Sequence, residues 1–412
     1  MSWAIPVPGD ATHSIYVWID ALSSYLTAAR CVTAEANGAT VEMSVDNELP
    51  DDSSWESIFP AWPADVHVIG KDILRFHAVY WPALLLAAGL PLPRLILAHG
   101  HWTVGQVKMS KSLGNVIAPS SLVQPSGPHT VDAVRYALLK EGGIATDGDF
   151  GPNVLHRAAV SDCANTLGNL ASRVINAALM PNGVIPSNLP PGGPQAWVEK
   201  ELMTADELAI AVSCGATDIK RNNVATLDGS LLRTVSASYA ALHPGVALTA
   251  IMTSVAEMNR LFAAAEPWVL AKSIRSSQMP STQVAASSSG MTANAVAGSL
   301  VVENLASRDR NVTNNSNALR LSVILYVALE VLRVAAILLQ PVMPTATDQL
   351  LRRLKLDAGH LAREWDAAIF GFVAPADVAV DTSGGPVILF SKSLSTSNSQ
   401  NIHVRTMPKH RQ

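Results

Sequence analysis

Residues 65–100, DVHVIGKDILRFHAVYWPALLLAAGLPLPRLILAHG, decide the predicted fold class. The short apolar runs at 65–70 and 95–100 have the length and composition of buried strands that end at a glycine. Residues 72–89 lie between them and carry apolar side chains at helical spacing. Strand, helix, strand is the βαβ pattern, so the sequence predicts a parallel sheet in this region.

The residue composition and the spacing of apolar residues change along the rest of the chain. YVWIDAL at residues 16–22 reads as a further buried strand or strand end. The predicted organisation is an α/β region at 1–118 with a polar, acidic insertion at about 34–56, a linking region at 119–150, a helical bundle at 151–370 with a Ser/Ala-rich disordered insertion at about 273–299, and a tail at 371–412. Within the bundle, the helical segments after residue 180 are expected at 197–222, 230–241, 246–270 and 318–340.

Composition excludes several classes of protein. Of the 412 residues, 49% are hydrophobic and 15% charged, with a net charge of −4, so a nucleic-acid surface would have to be local. Three separated cysteines argue against a disulfide framework and a cysteine-based zinc site, and they favour a reducing compartment. The apolar window Leu321–Gln340 has the length of a membrane span, but Glu330 and Arg333 lie in its middle, which favours a buried core helix.

GQVKMSKSLGNV, residues 105–116, carries two lysines on a loop of small residues. Lys108 and Lys111 are mobile positive charges that can follow a polyphosphate as its charge moves, and Ser110 can donate a hydrogen bond beside them. A solvated loop that happens to hold two lysines is the alternative, and it would suffice for an arbitrary K-x-x-K.

The five residues KMSKS resemble the second signature of class I aminoacyl-tRNA synthetases, whose loop stabilises the ATP triphosphate while the amino acid attacks the α-phosphate. YVWIDALSSY, HVIGKDILRFHAVYWPALLLAAGLPLP and AHGHWTVGQVKMSKSLGNV resemble the methionyl-tRNA synthetases within that class. The resemblance implies the second half of a doubly wound, Rossmann-like catalytic domain at 1–118, followed by an anticodon-binding helical bundle. Lys108 and Lys111 would then be the catalytic residues, neutralising the pyrophosphate that leaves.

In that family the amino-acid pocket is lined from two stretches of this sequence. The implied methionine-binding residues are Trp18, Ala21, Leu22, Tyr25, Ile73, His77 and Trp81. A polarisable thioether is well held by aromatic and aliphatic walls, and the last three of these residues recur at four-residue spacing on one helical face. For either tryptophan alone, an ordinary core position is the stronger reading, whereas the whole set with its histidine favours a pocket.

The resemblance also implies an ATP site. The implied ATP-binding residues are Gly70, Asp72, His99, Gly100, Trp102, Lys108, Ser110 and Lys111. The first two stand at a predicted strand-to-helix junction, where doubly wound folds bind ligands, and the family uses them against the ribose. Asp72 could instead be only a helix cap.

Three residues of the helical region are implied in reading the anticodon. Asn169 and Arg173 are four apart in GNLASR and share a helical face, and Trp268 in EPWVLAK matches the aromatic residue that stacks on an unstacked base. Polar residues on a bundle helix are otherwise usually its solvated side.

The sequence departs from the family at its first signature, because H-I-G-H does not occur in these 412 residues. We therefore expect an N-terminally truncated chain that holds half of the phosphate site and is nearly inactive alone. The two functions weighed are a methionine–tRNA ligase that uses methionine, ATP with Mg²⁺ and methionine tRNA, and a catalytically inactive fragment that binds the tRNA anticodon. A sister synthetase for Leu, Ile, Val or Cys explains the flanking stretches less well.

The resemblance favours the compact mitochondrial-type enzymes. It implies the mitochondrial matrix as the compartment, with the cytoplasm as the alternative. We also expect a monomer, no zinc because the three cysteines are too far apart for such a site, and no membrane association because only Leu321–Gln340 would suggest one.

Overall fold

The computed structural model describes residues 4–36, 54–123, 130–142, 144, 146–214, 230–278, 293–357, 359–368, 379–383 and 389–390. The chain divides into two compact units: residues 1–103 with 143–148, and residues 104–142 with 149–412. The first unit therefore ends before the lysine loop, whereas the α/β region expected from the sequence included that loop. Most of the expected linking region also groups with the second unit.

The first unit contains the parallel strand pair that the sequence predicts. Its elements are β1 (Pro6–Val7), β2 (Asp10–Ser14), α1 (Ile19–Ala36), α2 (Trp55–Ile58), β3 (Val66–Gly70), a 3₁₀ turn (Lys71–Ile73), a π-helical segment (Phe76–Tyr80), α3 (Trp81–Ala87) and β4 (Leu95–His99). β3 pairs in parallel with β4 from Val66 opposite Leu95 to Gly70 opposite His99. The helical stretch between them provides the long crossover connection that parallel strands require, so the strand–helix–strand prediction is confirmed.

The prediction of a strand at YVWIDAL is wrong. The preceding residues form the antiparallel pair β1–β2, and the helix α1 begins at Ile19, so no strand covers residues 16–22. Tyr16 and Ile19 are 76% and 67% exposed, which is not the environment of a buried strand. A short apolar run does not distinguish a strand from a helix start by itself, and Asp20 in the first turn is placed favourably for the helix dipole.

The polar insertion expected at about 34–56 is bounded by helix. The backbone is helical through Ala36 and again from Trp55, and residues 37–53 lie outside the described residues.

After β4, the chain forms short strands and then mostly helices. The further elements are β5 (Trp102–Val104), β6 (Val107–Lys108), α4 (Pro119–Leu122), α5 (Val131–Glu141), β7 (Gly148–Asp149), α6 (Pro152–His156), a π-helical segment (Arg157–Gly168), α7 (Asn169–Val174), α8 (Gly193–Glu199), α9 (Ala205–Ser213), α10 (Ser230–Ala240), α11 (Pro244–Ala264), α12 (Pro267–Gln278), α13 (Ala293–Leu339), α14 (Pro344–Arg353) and 3₁₀ turns at Leu361–Arg363 and Trp365–Ala367. β5, β6 and β7 form a sheet in the order β6-β5-β7.

The second unit is built largely of helices, as the sequence predicts for residues 151–370. α11 packs against α10 and α13, and α12 and α14 also pack against α13. The segment expected as one helix at 246–270 is two helices, because the chain turns at Glu266, whose φ is +44°. Pro267 then starts α12 at the position where its missing N–H costs nothing. The helix expected at 197–222 is likewise divided into α8 and α9, and residues 215–229 lie outside the described residues.

The core of the second unit is the C-terminal half of α13. Every residue from Leu321 to Leu339 is buried, so the prediction of a core helix is confirmed. Thr313–Leu339 is long and apolar enough to cross a membrane by length and composition, and the most apolar window is entirely buried within the protein. Glu330 and Arg333 pair through contacts of 2.8 and 2.9 Å, and the Arg333 guanidinium also donates to the carbonyl of Ala367 at 2.6 Å.

The insertion expected at about 273–299 overlaps a helix at each end. α12 continues to Gln278 and α13 begins at Ala293, which leaves residues 279–292 outside the described residues. Alanine has a high helix propensity, so a Ser/Ala-rich composition is compatible with helix as well as with disorder. Of the predicted tail, Val380 donates its N–H to the carbonyl of Gly183 at 2.7 Å, so this part of it packs on the second unit.

Candidate functional site

Five of the seven predicted methionine-binding residues come together in the first unit. Leu22 and Trp81 belong to one buried cluster, against which Trp18 and Tyr25 pack. The Tyr25 hydroxyl lies 2.8 Å from Nε2 of His77, and the rings of Trp18 and His77 meet edge to face with centroids 6.3 Å apart. Residues from the start of α1 and from the helical stretch after β3 therefore form a single aromatic cluster.

Hydrogen bonding fixes the arrangement of the histidine. Nδ1 of His77 lies 3.0 Å from the carbonyl oxygen of Ile73, which can only accept, so Nδ1 carries a proton. In the neutral imidazole, Nε2 then accepts from the Tyr25 hydroxyl. Burial raises the pKa of Tyr25, which keeps that hydroxyl protonated. The two hydrogen-bonded rings thus offer a polarisable surface.

A second feature lies beside this cluster. A cavity of about 430 Å³ is lined by Tyr16, Trp18, Ile19, Leu22, Phe76, Tyr80, Ala83 and Leu84. Only Trp18 and Leu22 of the predicted methionine set line it. His77 and Trp81 are 2% and 3% exposed, so they lie in the packed cluster.

Two of the predicted methionine-binding side chains are not brought into this cluster. Ala21 is an exposed residue of α1, on another side of the helix from the buried Leu22. Ile73 contributes its carbonyl oxygen, which accepts from His77, and its side chain is half-buried. The shared helical face expected for residues 73, 77 and 81 is divided among a 3₁₀ turn, a π-helical segment and α3.

Sequence reasoning missed two aromatic members of this region. Phe76 stacks on Trp18 with the ring planes 8° apart and the centroids separated by 3.9 Å. His67, on β3, accepts a hydrogen bond from the indole nitrogen of Trp81 at 3.2 Å and is 4% exposed. A polar residue on the buried face of a strand, two positions before the apolar Ile69, was the signal that could have revealed His67.

The predicted nucleotide residues of this unit lie at one edge of the parallel pair. Gly70 and His99 are paired at the carboxyl ends of β3 and β4, where ligands bind in doubly wound folds. Gly70 is the N-cap of the turn that follows, so Asp72 is not the cap. A Cβ at Gly70 would lie 2.7 Å from Oδ1 of Asp72, which in turn is 3.2 Å from Nε2 of His101.

The adjoining strip is also closely packed. A Cβ at Gly100 would lie 2.3 Å from the carbonyl oxygen of Thr146, so this position requires glycine. The Trp102 ring lies where a Cβ on Gly148 would meet it at 2.8 Å. The Lys71 ammonium, 2.6 Å from Asp147, holds the pKa of that carboxyl below its usual value.

The lysine loop, within the second unit, is organised by its own polar residues. The Asn115 side chain accepts from the Ser110 amide at 2.8 Å and donates to the Lys108 carbonyl at 3.1 Å. Gly114 has φ +66° and donates its N–H to the carbonyl of Lys111 at 3.3 Å. Both lysine side chains are exposed, so the backbone of the loop is fixed while its charges reach solvent.

The three predicted anticodon residues lie on α7 and α12 of the second unit. The Arg173 guanidinium lies over the Trp268 ring at 5.5 Å and over the Phe262 ring at 5.4 Å. Asn169 donates to the side chain of Asn259 at 3.3 Å. The structure therefore brings Arg173 and Trp268 into contact, with Trp268 43% exposed, while Asn169 is engaged with α11.

No group of three or more His, Cys, Asp or Glu side chains that could hold a metal ion occurs among the described residues.

Comparison with known proteins adds independent findings. The profile of the family described as tRNA synthetases class I (M) matches residues 1–175. The methionine–tRNA ligase of Rhizobium meliloti is 34% identical over 352 residues, which cover 85% of this chain and 50% of that protein. The probable mitochondrial methionine–tRNA ligase of Dictyostelium discoideum is 31% identical over 354 residues, covering 86% of this chain and 48% of that protein.

Solved structures agree with these relatives. The Mycobacterium tuberculosis methionyl-tRNA synthetase bound by methionyl-adenylate matches with a TM-score of 0.63 and 31% identity, over 95% of this chain and 59% of that one. The free form of the same enzyme matches with a TM-score of 0.60 and 29% identity, over 94% and 58%. The chain thus spans about half the length of the curated relatives it matches.

Proposed function

Because this chain belongs to the class I tRNA synthetases of the methionine type, we propose that it supplies the methionine pocket, part of the ATP site and the anticodon-binding bundle of a methionine–tRNA ligase. The observation that carries the proposal is the aromatic cluster around Tyr25, His77 and Trp81. It lies on elements that also lead to Gly70 and Asp72, at the edge where a nucleotide would bind.

The cluster suits methionine by its chemistry. An uncharged side chain with a polarisable sulfur gains from contact with aromatic rings, and the polar atoms of Tyr25 and His77 are hydrogen-bonded to each other. The walls offered are Trp18, Leu22, Tyr25, His77 and Trp81. A lysine or glutamate side chain would bury its charge there without a counter-ion.

The proposed ATP site lies at the carboxyl ends of β3 and β4, where Gly70 and His99 are paired. In the proposed reaction the methionine carboxylate attacks the α-phosphate of ATP, the bond to the β-phosphate breaks, and pyrophosphate leaves. Asp72 would accept from the ribose hydroxyls, with Gly70, His99, Gly100 and the Trp102 backbone beside the nucleoside.

The lysine loop would stabilise the negative charge of the leaving pyrophosphate. Lys108 and Lys111 carry positive charge on exposed side chains, and Ser110 stands between them on a backbone held by Asn115. Stabilising charge that develops on pyrophosphate requires such donors and no general base. Mg²⁺ would enter with the ATP phosphates, because it commonly binds through substrate phosphates with few protein carboxylates.

The second step would transfer methionine to the terminal hydroxyl of methionine tRNA with release of AMP. In the bundle, Trp268 would stack on an unstacked anticodon base, and Arg173 and Asn169 would read base edges. The contact between Arg173 and Trp268 supports this role, because it presents a guanidinium and an indole face together at the surface.

A second candidate function is tRNA binding without aminoacylation. The first class I signature does not occur in the 412 residues, and unit 1 exposes the apolar side chains of Tyr16, Ile19 and Val68. The polypeptide by itself is therefore proposed to lack part of the phosphate site and to be nearly inactive. In the second unit, by contrast, Arg173 and Trp268 of the proposed anticodon set are in contact.

Two assays on the 412-residue polypeptide separate these functions. Methionine-dependent exchange of labelled pyrophosphate into ATP tests activation, and filter binding of methionine tRNA tests the bundle. Binding of the tRNA with no exchange supports the second candidate. Robust methionine-dependent exchange would establish the first and contradict the proposed inactivity, while failure of both assays would overturn the proposal altogether.

Compartment and assembly are further parts of the proposal. We place the protein in the mitochondrial matrix, with the cytoplasm as the alternative, on the likeness to the compact enzymes and to the Dictyostelium discoideum relative. We also propose a monomer without membrane association. Imaging of the tagged product of the complete gene and light scattering of the purified protein test these two points.

A further inference from the structure

His67 lies on β3 and points into the buried cluster of the first unit. Along this strand His67 and Ile69 are buried while Val68 between them is 64% exposed, as the alternation of a strand requires. The His67 ring lies 4.3 Å from that of Tyr25 and 6.1 Å from that of His77, measured between centroids. His67 thus packs among the residues proposed to bind methionine, although it is not one of the residues that the family resemblance implies.

The contact with Trp81 defines the protonation of His67. The indole nitrogen can only donate, and it lies 3.2 Å from Nε2 of His67. Nε2 therefore carries no proton, and the neutral imidazole holds its proton on Nδ1. An imidazolium could not accept this bond.

Trp81 needs this acceptor. It is 3% exposed, and a buried indole N–H left without a partner is strongly unfavourable. The neighbouring Trp62, edge to face with Trp81 at 5.9 Å, already donates to the carbonyl of Pro91 at 2.8 Å. Each of these two buried indoles thus has its own acceptor, and His67 accepts from Trp81.

The surroundings favour the neutral form of His67. Burial lowers the pKa of His67, and His77 nearby lowers it further. The titratable groups whose rings face it are Tyr25 and His77, and burial raises the pKa of Tyr25. None of these groups supplies a negative charge that would favour an imidazolium at neutral pH.

We propose that His67 is a positioning residue of the methionine pocket, whose neutral imidazole accepts the indole N–H of Trp81 and fixes that wall of the pocket. The inference rests on the proposed function, since it deepens the account of the same site. Protonation of His67 would remove the acceptor and turn one N–H toward another. The orientation of Trp81, and with it the affinity for methionine, therefore depends on pH through a residue that need not touch the substrate.

The first arm of the test observes the bond itself. The 412-residue protein is labelled with ¹⁵N-tryptophan, and the indole signal of Trp81 is assigned by its disappearance in Trp81→Phe. This signal is expected to shift as the pH is lowered from about 8 to about 5, with a midpoint below the ordinary value for histidine. His67→Gln, which can place an amide oxygen near the position of Nε2, should abolish the pH dependence.

The second arm measures methionine affinity by tryptophan fluorescence with L-methionine as the titrant. At neutral pH, His67→Gln should retain the affinity to within about threefold, whereas His67→Phe should weaken it about tenfold because the indole loses its acceptor. His13→Gln is the matched control, since this histidine is exposed on β2. Only the native residue should lose affinity on acidification through this bond.

The outcomes separate the two proposals. A Trp81 signal unaffected by pH and by His67→Phe would overturn the inference, as would unchanged methionine affinity in a folded His67→Phe protein. If His67→Phe does not fold, the loss of pH dependence in His67→Gln decides the question. A pH-dependent Trp81 signal in a protein that does not bind methionine would support the bond and count against the methionine pocket.

Discussion

Replacing Trp268 by alanine should weaken binding of methionine tRNA without unfolding the bundle. The side chain lies at the start of α12 and is 43% exposed, so the core loses little when it is removed. The Arg173 guanidinium lies over its ring, 5.5 Å from the ring centre. Arg173 also lies over Phe262, which holds it in place when Trp268 is absent.

The size of the effect follows from what the indole would contact in the complex. Stacking of one base on an aromatic side chain contributes about 1–3 kcal/mol. This corresponds to an increase of roughly 5- to 150-fold in Kd. Loss of the partly exposed cation–π contact should change the free energy of unfolding by only about 0.5–1 kcal/mol.

Filter binding at fixed salt measures this change, because phosphate contacts make every such affinity depend on ionic strength. Val269→Ala is the matched control, since Val269 is the adjacent residue of α12 and is 50% exposed. A tRNA with altered anticodon bases should bind the native and Trp268→Ala proteins about equally. Affinities for methionine tRNA that agree within about twofold between Trp268→Ala, Val269→Ala and the native chain would refute the anticodon role.

Three predictions concern stability. Gly100→Ala should lower the free energy of unfolding of the first unit by about 1–3 kcal/mol, because the new Cβ would meet the carbonyl oxygen of Thr146 at 2.3 Å. An unchanged thermal midpoint in this variant would contradict the close contact. Glu330→Gln should cost about 3–5 kcal/mol in denaturant titrations by leaving buried Arg333 without its counter-charge, and adding Arg333→Met should recover part of this, a recovery whose absence would contradict the ion-pair argument. Because the pKa of His67 is lowered in the folded protein, the unfolded chain binds a proton at this residue at higher pH than the folded chain does. The free energy of unfolding should therefore fall as the pH drops below about 6.5, and His67→Gln should make this fall smaller in thermal scans. An unchanged pH dependence in His67→Gln would contradict the burial of His67.

The sequence predicted the parts of the fold that local pattern determines. Alternation and helical spacing over residues 65–100 were enough for the parallel pair β3–β4, and the apolar run at 321–339 with its internal Glu330–Arg333 pair was enough for the core helix. In both segments local pattern and tertiary environment favour the same structure.

Boundaries and short apolar runs were less predictable. The run at 16–22 carries no period long enough to separate a strand from a helix start, and its exposure depends on what packs against it. The helix break at Glu266 depends on one residue with positive φ, and the sequence signal there is a single proline.

The candidate site was predicted as a set of residues and not as a geometry. The spacing of His77 and Trp81 placed them together, but the π-helical segment that positions them has no simple sequence signature. His67 was missed because its importance comes from a hydrogen bond to a residue 14 positions away, which no local pattern contains. Ala21 was included by resemblance, although the structure exposes it on α1.

Saturation-transfer NMR of L-methionine and L-leucine with the 412-residue protein tests the proposed methionine pocket most directly. Transfer to methionine should be strongest at the methyl group on sulfur, because the walls around Tyr25, His77 and Trp81 would surround that end of the side chain. Leucine should show little transfer and should not displace methionine. Equal transfer to both amino acids, or none to methionine, would contradict a methionine pocket in this protein.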